Sequence, residues 1–137
     1  MIEFQNIECD PKINKKEFSL WLNEILIEEK KMLGDIAYIF CNDDYLLTKN
    51  IKYLNHNTLT DVISFDYSKH KLISGDILIS IERVRENSNI FGVPFLNELQ
   101  RVMAHGLLHL LGYDDKTEKG EKEIREKEDY YLKKISI

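Results

Sequence analysis

His105 and His109 stand four residues apart and are the only polar side chains between Val102 and Leu111. On a helix, residues four apart share a face and lie one turn apart, so both imidazoles can reach a single ion. A helix that is apolar around most of its circumference is buried, and buried imidazoles need partners for their ring nitrogens. A metal would supply them. The helical wheel puts Glu98, Arg101 and Gly112 on the histidine stripe, and Leu96, Leu99, Met103, Leu107 and Leu110 on the opposite side.

Gly112 is placed to end that helix in a left-handed conformation, after which Tyr113-Asp114-Asp115 would turn back along it. Were the helix to continue, Asp115 would lie too far around the axis to share a ligand sphere with His109. A reversal at Gly112 removes that obstacle. Two imidazole nitrogens and one carboxylate oxygen, with a position left for water, form a donor set suited to catalytic zinc. Spacing alone leaves a second reading open, in which Asp114 and Asp115 only cap a helix starting near Thr117. Zinc peptidases carry glutamate directly after the first histidine, and here that residue is Gly106.

The elements that must position these residues follow from periodicity and punctuation. Ile2 to Ile7 reads as a short strand, and Asn14 opens a helix whose stripe is Phe18, Leu20, Trp21, Ile25, Leu26 and Met32, closed by Gly34. Residues 36–41 form an apolar run of buried-strand length. Asn42 or Asp43 caps a helix with Leu46, Leu47, Ile51 and Leu54 inward, ended by the cluster at 55–58. Residues 61–67 and 76–80 pair as a hairpin around Lys69, His70 and Gly75. A helix over 80–90 precedes the break at Phe91-Gly92-Val93-Pro94, and Pro94 suits the first turn of the histidine helix. A charged helix closes the chain from Thr117 to Lys134, with Ile124, Tyr131 and Leu132 as its apolar contacts. The expected fold class is therefore α+β (α/β-type): one domain over residues 1–137, a mixed sheet of about four strands packed against helices, and the metal site on a central buried helix.

Composition narrows the class. With 43% hydrophobic residues the chain can build a core without disulfides. Cys9 and Cys41 fit no paired framework and read as free thiols in a reducing compartment. No apolar run approaches about 18 residues, so a soluble, cytoplasmic protein is expected with no membrane partner. A net charge of -5 argues against nonspecific coating of duplex DNA, while allowing a local basic groove.

The run from His105 to Asp115 resembles the signature of the YbeY family of bacterial endoribonucleases, H-G-x-L-H-L-x-G-Y-D-H, at every fixed position except the last. Residues 60–65 resemble that family's T-D-V-L-S-F segment, and residues 75–80 its G-D-I-x-I-S segment, in the family's order. The resemblance implies a zinc-dependent endoribonuclease specific for single-stranded RNA. Its roles would be maturation of the 3′ end of 16S rRNA and late-stage ribosome quality control. It further implies one zinc per chain held by His105, His109 and Asp115, with metal-bound water as nucleophile, and a ribosome and its assembly factors as partners.

Two departures mark this chain. Asp115 stands where the family usually has histidine, which keeps an oxygen donor for zinc but adds negative charge. Leu54 stands where the family has an arginine able to clamp a phosphate, so no substrate role is carried there; His56, Lys52 or Arg101 could compensate. Glu98 could orient a ligand or shuttle a proton, or pair with Arg101. Asp61 and Asp76 could join the cleft but read more readily as strand-end caps, Lys69-His70-Lys71 could meet an RNA backbone but reads more readily as a solvated loop, and Tyr131 reads as core. The competing functions are a ribosome-assembly factor with a structural zinc and a zinc hydrolase acting on amide bonds, the latter weakened by Gly106.

Overall fold

The computed structural model describes residues 1–54 and 60–135. In chain order its elements are β1 (Ile2–Asn6), α1 (Lys15–Glu28), β2 (Met32–Cys41), α2 (Asp43–Leu54), β3 (Val62–Asp66), β4 (Leu72–Ser80), α3 (Ile81–Phe91), α4 (Phe95–Leu110) and α5 (Glu118–Ile135). The four strands form one sheet in the order β1-β2-β4-β3, with β1, β2 and β4 parallel and β3 antiparallel to β4. That is the mixed sheet expected from one hairpin and helical crossovers. No helix among the described residues is long and apolar enough to cross a membrane.

Both faces of the sheet are covered, which explains the nearly continuous apolar runs of β2 and β4. On one face Tyr38, Phe40, Ile77 and Ile79 join Trp21, Ile25 and Leu26 of α1, together with Leu107 of α4 and Tyr131 of α5. On the other, Ile63 and Leu78 pack with Leu46 of α2. Two buried polar groups tie the first layer together: the Trp21 indole donates to the Tyr131 carbonyl at 2.8 Å, and the Tyr38 hydroxyl to the Met103 carbonyl at 2.9 Å. Cys41 is buried, and burial pushes its thiol pKa up to about 12, as befits a core residue.

Several caps fall where the residue types put them. Asn14 accepts from the Glu17 N–H, Asn42 from the Tyr45 N–H, and Ser80 from the Arg83 N–H, opening α1, α2 and α3. Gly92, at φ 68°, closes α3.

Other boundaries differ from expectation. Helix α1 ends at Glu28, and Gly34 does not close it. Lys30 adopts φ 61° while Lys30 N–H donates to Ile27 and Lys31 N–H to Leu26, so a lysine occupies the left-handed position that glycine usually marks. Met32, expected on that helix, begins β2 instead. Gly34 sits at an irregularity of β2, where a Cβ would come within 2.2 Å of Ser74 Oγ. Gly75 likewise lies inside β4 and not in the hairpin turn; a Cβ there would meet the Phe65 carbonyl oxygen at 2.5 Å and Leu110 methyls at 3.0 Å. The turn is narrower, with His70 at φ 55° and Lys69, His70 and Lys71 all exposed. Leu20, Ile51, Leu54 and Leu96 are exposed rather than packed, and Asn50 takes an inward position on α2. The cluster expected to end α2 lies outside the described residues.

Candidate metal centre

Helix α4 ends as its sequence directs. Gly112 adopts φ 105°, Gly112 N–H donates to the His109 carbonyl and Tyr113 N–H to the Leu108 carbonyl, both at 3.1 Å. This pair of hydrogen bonds reverses the chain directly after the last turn. Asp114 then accepts from the Lys116 N–H, and Thr117 Oγ1 accepts from the Gly120 N–H to open α5. Those two residues shape the turn and the cap, and Asp115 is left to face the histidines.

The Nε2 atoms of His105 and His109 lie 2.9 Å apart, and Asp115 Oδ2 stands 3.6 Å from the first and 3.9 Å from the second. All three donor atoms fit within 4.8 Å of one another. Donors about 2.0–2.1 Å from a tetrahedral zinc are separated by roughly 3.3 Å. The observed separations bracket that figure, so the three side chains fit the ion their types suggest.

Behind the triad stands a residue that sequence reading passed over. Glu128 of α5 is 3% exposed and lies 2.6 Å from His105 Nδ1, while its other oxygen accepts from Arg101 at 3.0 Å. Accepting the Nδ1–H leaves the His105 Nε2 lone pair free for an ion. Burial by itself would lower the His105 pKa, but the hydrogen bond and charge of Glu128, with Asp115 and Asp61, raise it above the ordinary histidine value. His109 is held below that value by burial and then by the His105 charge, which outweigh Asp115, Asp114 and a backbone hydrogen bond with Tyr113. A signal for Glu128 was present: it falls on the buried stripe of α5 with Ile124, Tyr131, Leu132 and Ile135. A carboxylate on an apolar stripe needs a partner.

Gly106 lies between the histidines against the sheet. A Cβ there would meet Ile77 Cγ2 at 2.7 Å, and the Ser64 hydroxyl donates to the Gly106 carbonyl at 3.4 Å. The position that peptidases fill with glutamate is thus turned into β4.

The family model described as endoribonuclease YbeY matches residues 3–136. The chain belongs to the YbeY family. A Flavobacterium psychrophilum protein named endoribonuclease YbeY is 54% identical over 138 residues, spanning 100% of this chain and 98% of its own. A Flavobacterium johnsoniae protein of the same name is 51% identical over 130 residues, 94% of this chain and 93% of its own. The solution structure of a Thermotoga maritima protein superposes with a TM-score of 0.71 at 29% identity, covering 98% of this chain and 89% of that one.

In this YbeY-family chain a cleft of about 790 Å³ opens beside the three side chains, between α3, α4 and α5 and the start of β3. Asp61 lines it, the less favoured of its two expected roles; burial raises its carboxyl pKa despite nearby backbone N–H donors and His105. Glu98 lines it too and is 5% exposed; burial and then the charge of Asp61 raise its pKa. The expected Glu98–Arg101 pair does not form, because Arg101 is taken by Glu128 and Asp129. That engagement also makes Arg101 a poor substitute for the family arginine. Lys52 lies against the Tyr53 ring, Leu54 is 38% exposed at the end of α2, and His56 lies outside the described residues. Asp76 accepts from the Tyr67 hydroxyl across the hairpin at 3.4 Å.

Proposed function

We propose that this chain is a zinc-dependent endoribonuclease acting on single-stranded RNA in 16S rRNA 3′-end maturation and late-stage ribosome quality control. On this reading it is a single metallo-hydrolase domain working in the cytoplasm with the ribosome and its assembly factors. The observation that carries the reading is the convergence of His105, His109 and Asp115 beside an open cleft, in a chain of the endoribonuclease YbeY family. His105, His109 and Asp115 would hold one zinc. When bound, such an ion supplies Lewis acidity toward a phosphoryl oxygen and toward water.

The protein's own contribution is orientation and exclusion. Glu128 holds the proton on His105 Nδ1, and the Arg101 guanidinium keeps Glu128 in place. Gly112 brings Asp115 to the imidazoles, while the packing of Gly106 on β4 sets the depth of α4 beneath the cleft. The cleft leads to His105 and Asp115, and such a recess suits an unpaired strand better than a rigid duplex.

Carboxylates on the cleft wall and Leu54 at the end of α2 favour a second reading, an assembly factor whose zinc is structural. The amide-hydrolase reading gains nothing from a Gly106 turned into the sheet. Labelled single-stranded and duplex RNA, incubated with the zinc-loaded chain and with His109→Ala, separate these. Cleavage of the single strand by the parent chain alone is expected. Cleavage by neither protein would favour the assembly factor, and equal cleavage by both would remove the triad from the chemistry.

A further inference from the structure

The cleft is larger than an ion site requires, and its volume falls within the about 300–1,000 Å³ typical of pockets for small organic groups. Phe91, the last residue of α3, lines it while remaining 61% exposed, so one ring face is open to a ligand. Val102 and Ile124, 4% and 2% exposed, give it an apolar floor. Asn87 lies one turn before Phe91 on the same side of α3 and lines the same space.

Glu98 supplies an independent observation. It is 5% exposed and lines the cleft, its carboxylate feels the charges of Arg101 and Arg125 without a direct ion pair among the described residues, and its oxygens stay accessible only through the cleft. Such a carboxylate takes its donors from water in the cleft, or from a ligand that displaces that water. A donor from the cleft side would complete it. Charge then decides what kind of ligand fits. In the lining six carboxylates outnumber three cations, Arg101, Lys122 and Arg125, so the net negative wall disfavours a phosphodiester, whereas a neutral heterocycle meets no such repulsion.

We propose that this cleft is a nucleobase subsite: an unstacked base of the substrate strand lies against Phe91 and presents N–H donors to the Glu98 carboxylate. Guanine fits best, since its N1–H and 2-amino group are adjacent donors that one carboxylate accepts in parallel. The strand's phosphates stay at the rim of the cleft, where His105 and Asp115 line it. A base stacked and paired in a duplex cannot enter, so the subsite would also contribute single-strand selectivity. The proposal rests on RNA being the substrate.

The test compares the parent chain with Phe91→Ala, Phe91→Trp and Glu98→Gln. Fluorescence anisotropy of labelled single-stranded oligonucleotides is measured with zinc stripped and with zinc restored, alongside cleavage kinetics and metal content. Loss of the stacking face in Phe91→Ala should raise Kd and KM about ten-fold with kcat nearly unchanged, and Phe91→Trp should restore both. Replacing guanosine by inosine, which lacks the 2-amino group, should weaken binding to the parent chain several-fold but have little effect on Glu98→Gln. Unchanged Kd and KM in Phe91→Ala would overturn the subsite. An equal loss of affinity for an abasic strand would also do so, by assigning the cleft to the backbone. If the parent chain neither binds nor cleaves any single strand, the ribonuclease reading itself fails; if it does both while the variants match it, only the subsite fails.

Discussion

Among the individual residues, Glu128 ties the chemistry of the site most closely to the fold. It is nearly inaccessible to solvent, and its two oxygens divide between His105 and Arg101, so neither can relax without disturbing the other. Outer carboxylates of this kind commonly contribute about 10–100-fold to metal affinity. Glu128→Gln, which keeps the volume and removes the charge, should weaken zinc binding within that range. Competition against a chromophoric chelator measures it. Unchanged affinity would reduce Glu128 to a packing partner of Arg101. Asp115 and Asp114 illustrate how local context divides similar side chains: Asp114 is occupied by the Lys116 N–H, so only its neighbour is free to face the imidazoles.

For the elements, what matters is how closely α4 approaches the sheet. Alanine is about 1 kcal/mol more favourable than glycine within a helix, so propensity alone would favour Gly106→Ala. Packing opposes it, because the new methyl would stand 2.7 Å from Ile77 Cγ2 and Ile77 is fully buried in β4. The overpacking term, about 1–3 kcal/mol, should win, giving a net loss of stability of about 1 kcal/mol in urea titrations. A stabilised variant would show that α4 has room to lift. Elsewhere, α2 and α3 support each other's first turns: Asp43 accepts from Ser80 Oγ at 2.7 Å and from Arg83 at 3.0 Å, and Glu82 accepts from the Asp43 N–H at 2.8 Å. This pairing braces the helix that carries Phe91.

Across the whole molecule, Glu29 joins segments that lie far apart in the chain. Just beyond α1, it accepts from Tyr113 at 2.6 Å, from Lys127 at 3.0 Å and from Tyr131. Burial alone would raise its pKa, but the two hydroxyls and the ammonium outweigh that and hold it below the ordinary value of 4.5. Since the folded pKa lies below the unfolded one, the stabilisation is complete above about pH 4.5 and is lost as pH falls through the folded value. Glu29→Gln should therefore cost on the order of 1 kcal/mol at neutral pH, with the difference from the parent chain closing in acid. Urea unfolding across pH checks this. A pH-independent difference would mean that Glu29 acts through shape, not charge.

Much of this architecture was legible in the chain itself. The apolar runs of β2 and β4, the caps at Asn14 and Asn42, and the reversal at Gly112 depend on near neighbours and on standard backbone preferences, so residue type suffices to locate them. The facing of His105 and His109 follows from helical geometry in the same way. Less was legible where the deciding partner is distant. The stop after Glu28 rests on a left-handed lysine, and the strand placement of Gly34 and Gly75 on close contacts with Ser74, Phe65 and Leu110. The meeting of Glu128 with His105 spans 23 positions and requires α5 to lie along α4. One-dimensional pattern encodes what each segment prefers; which polar groups must satisfy one another away from water is settled only when the layers pack.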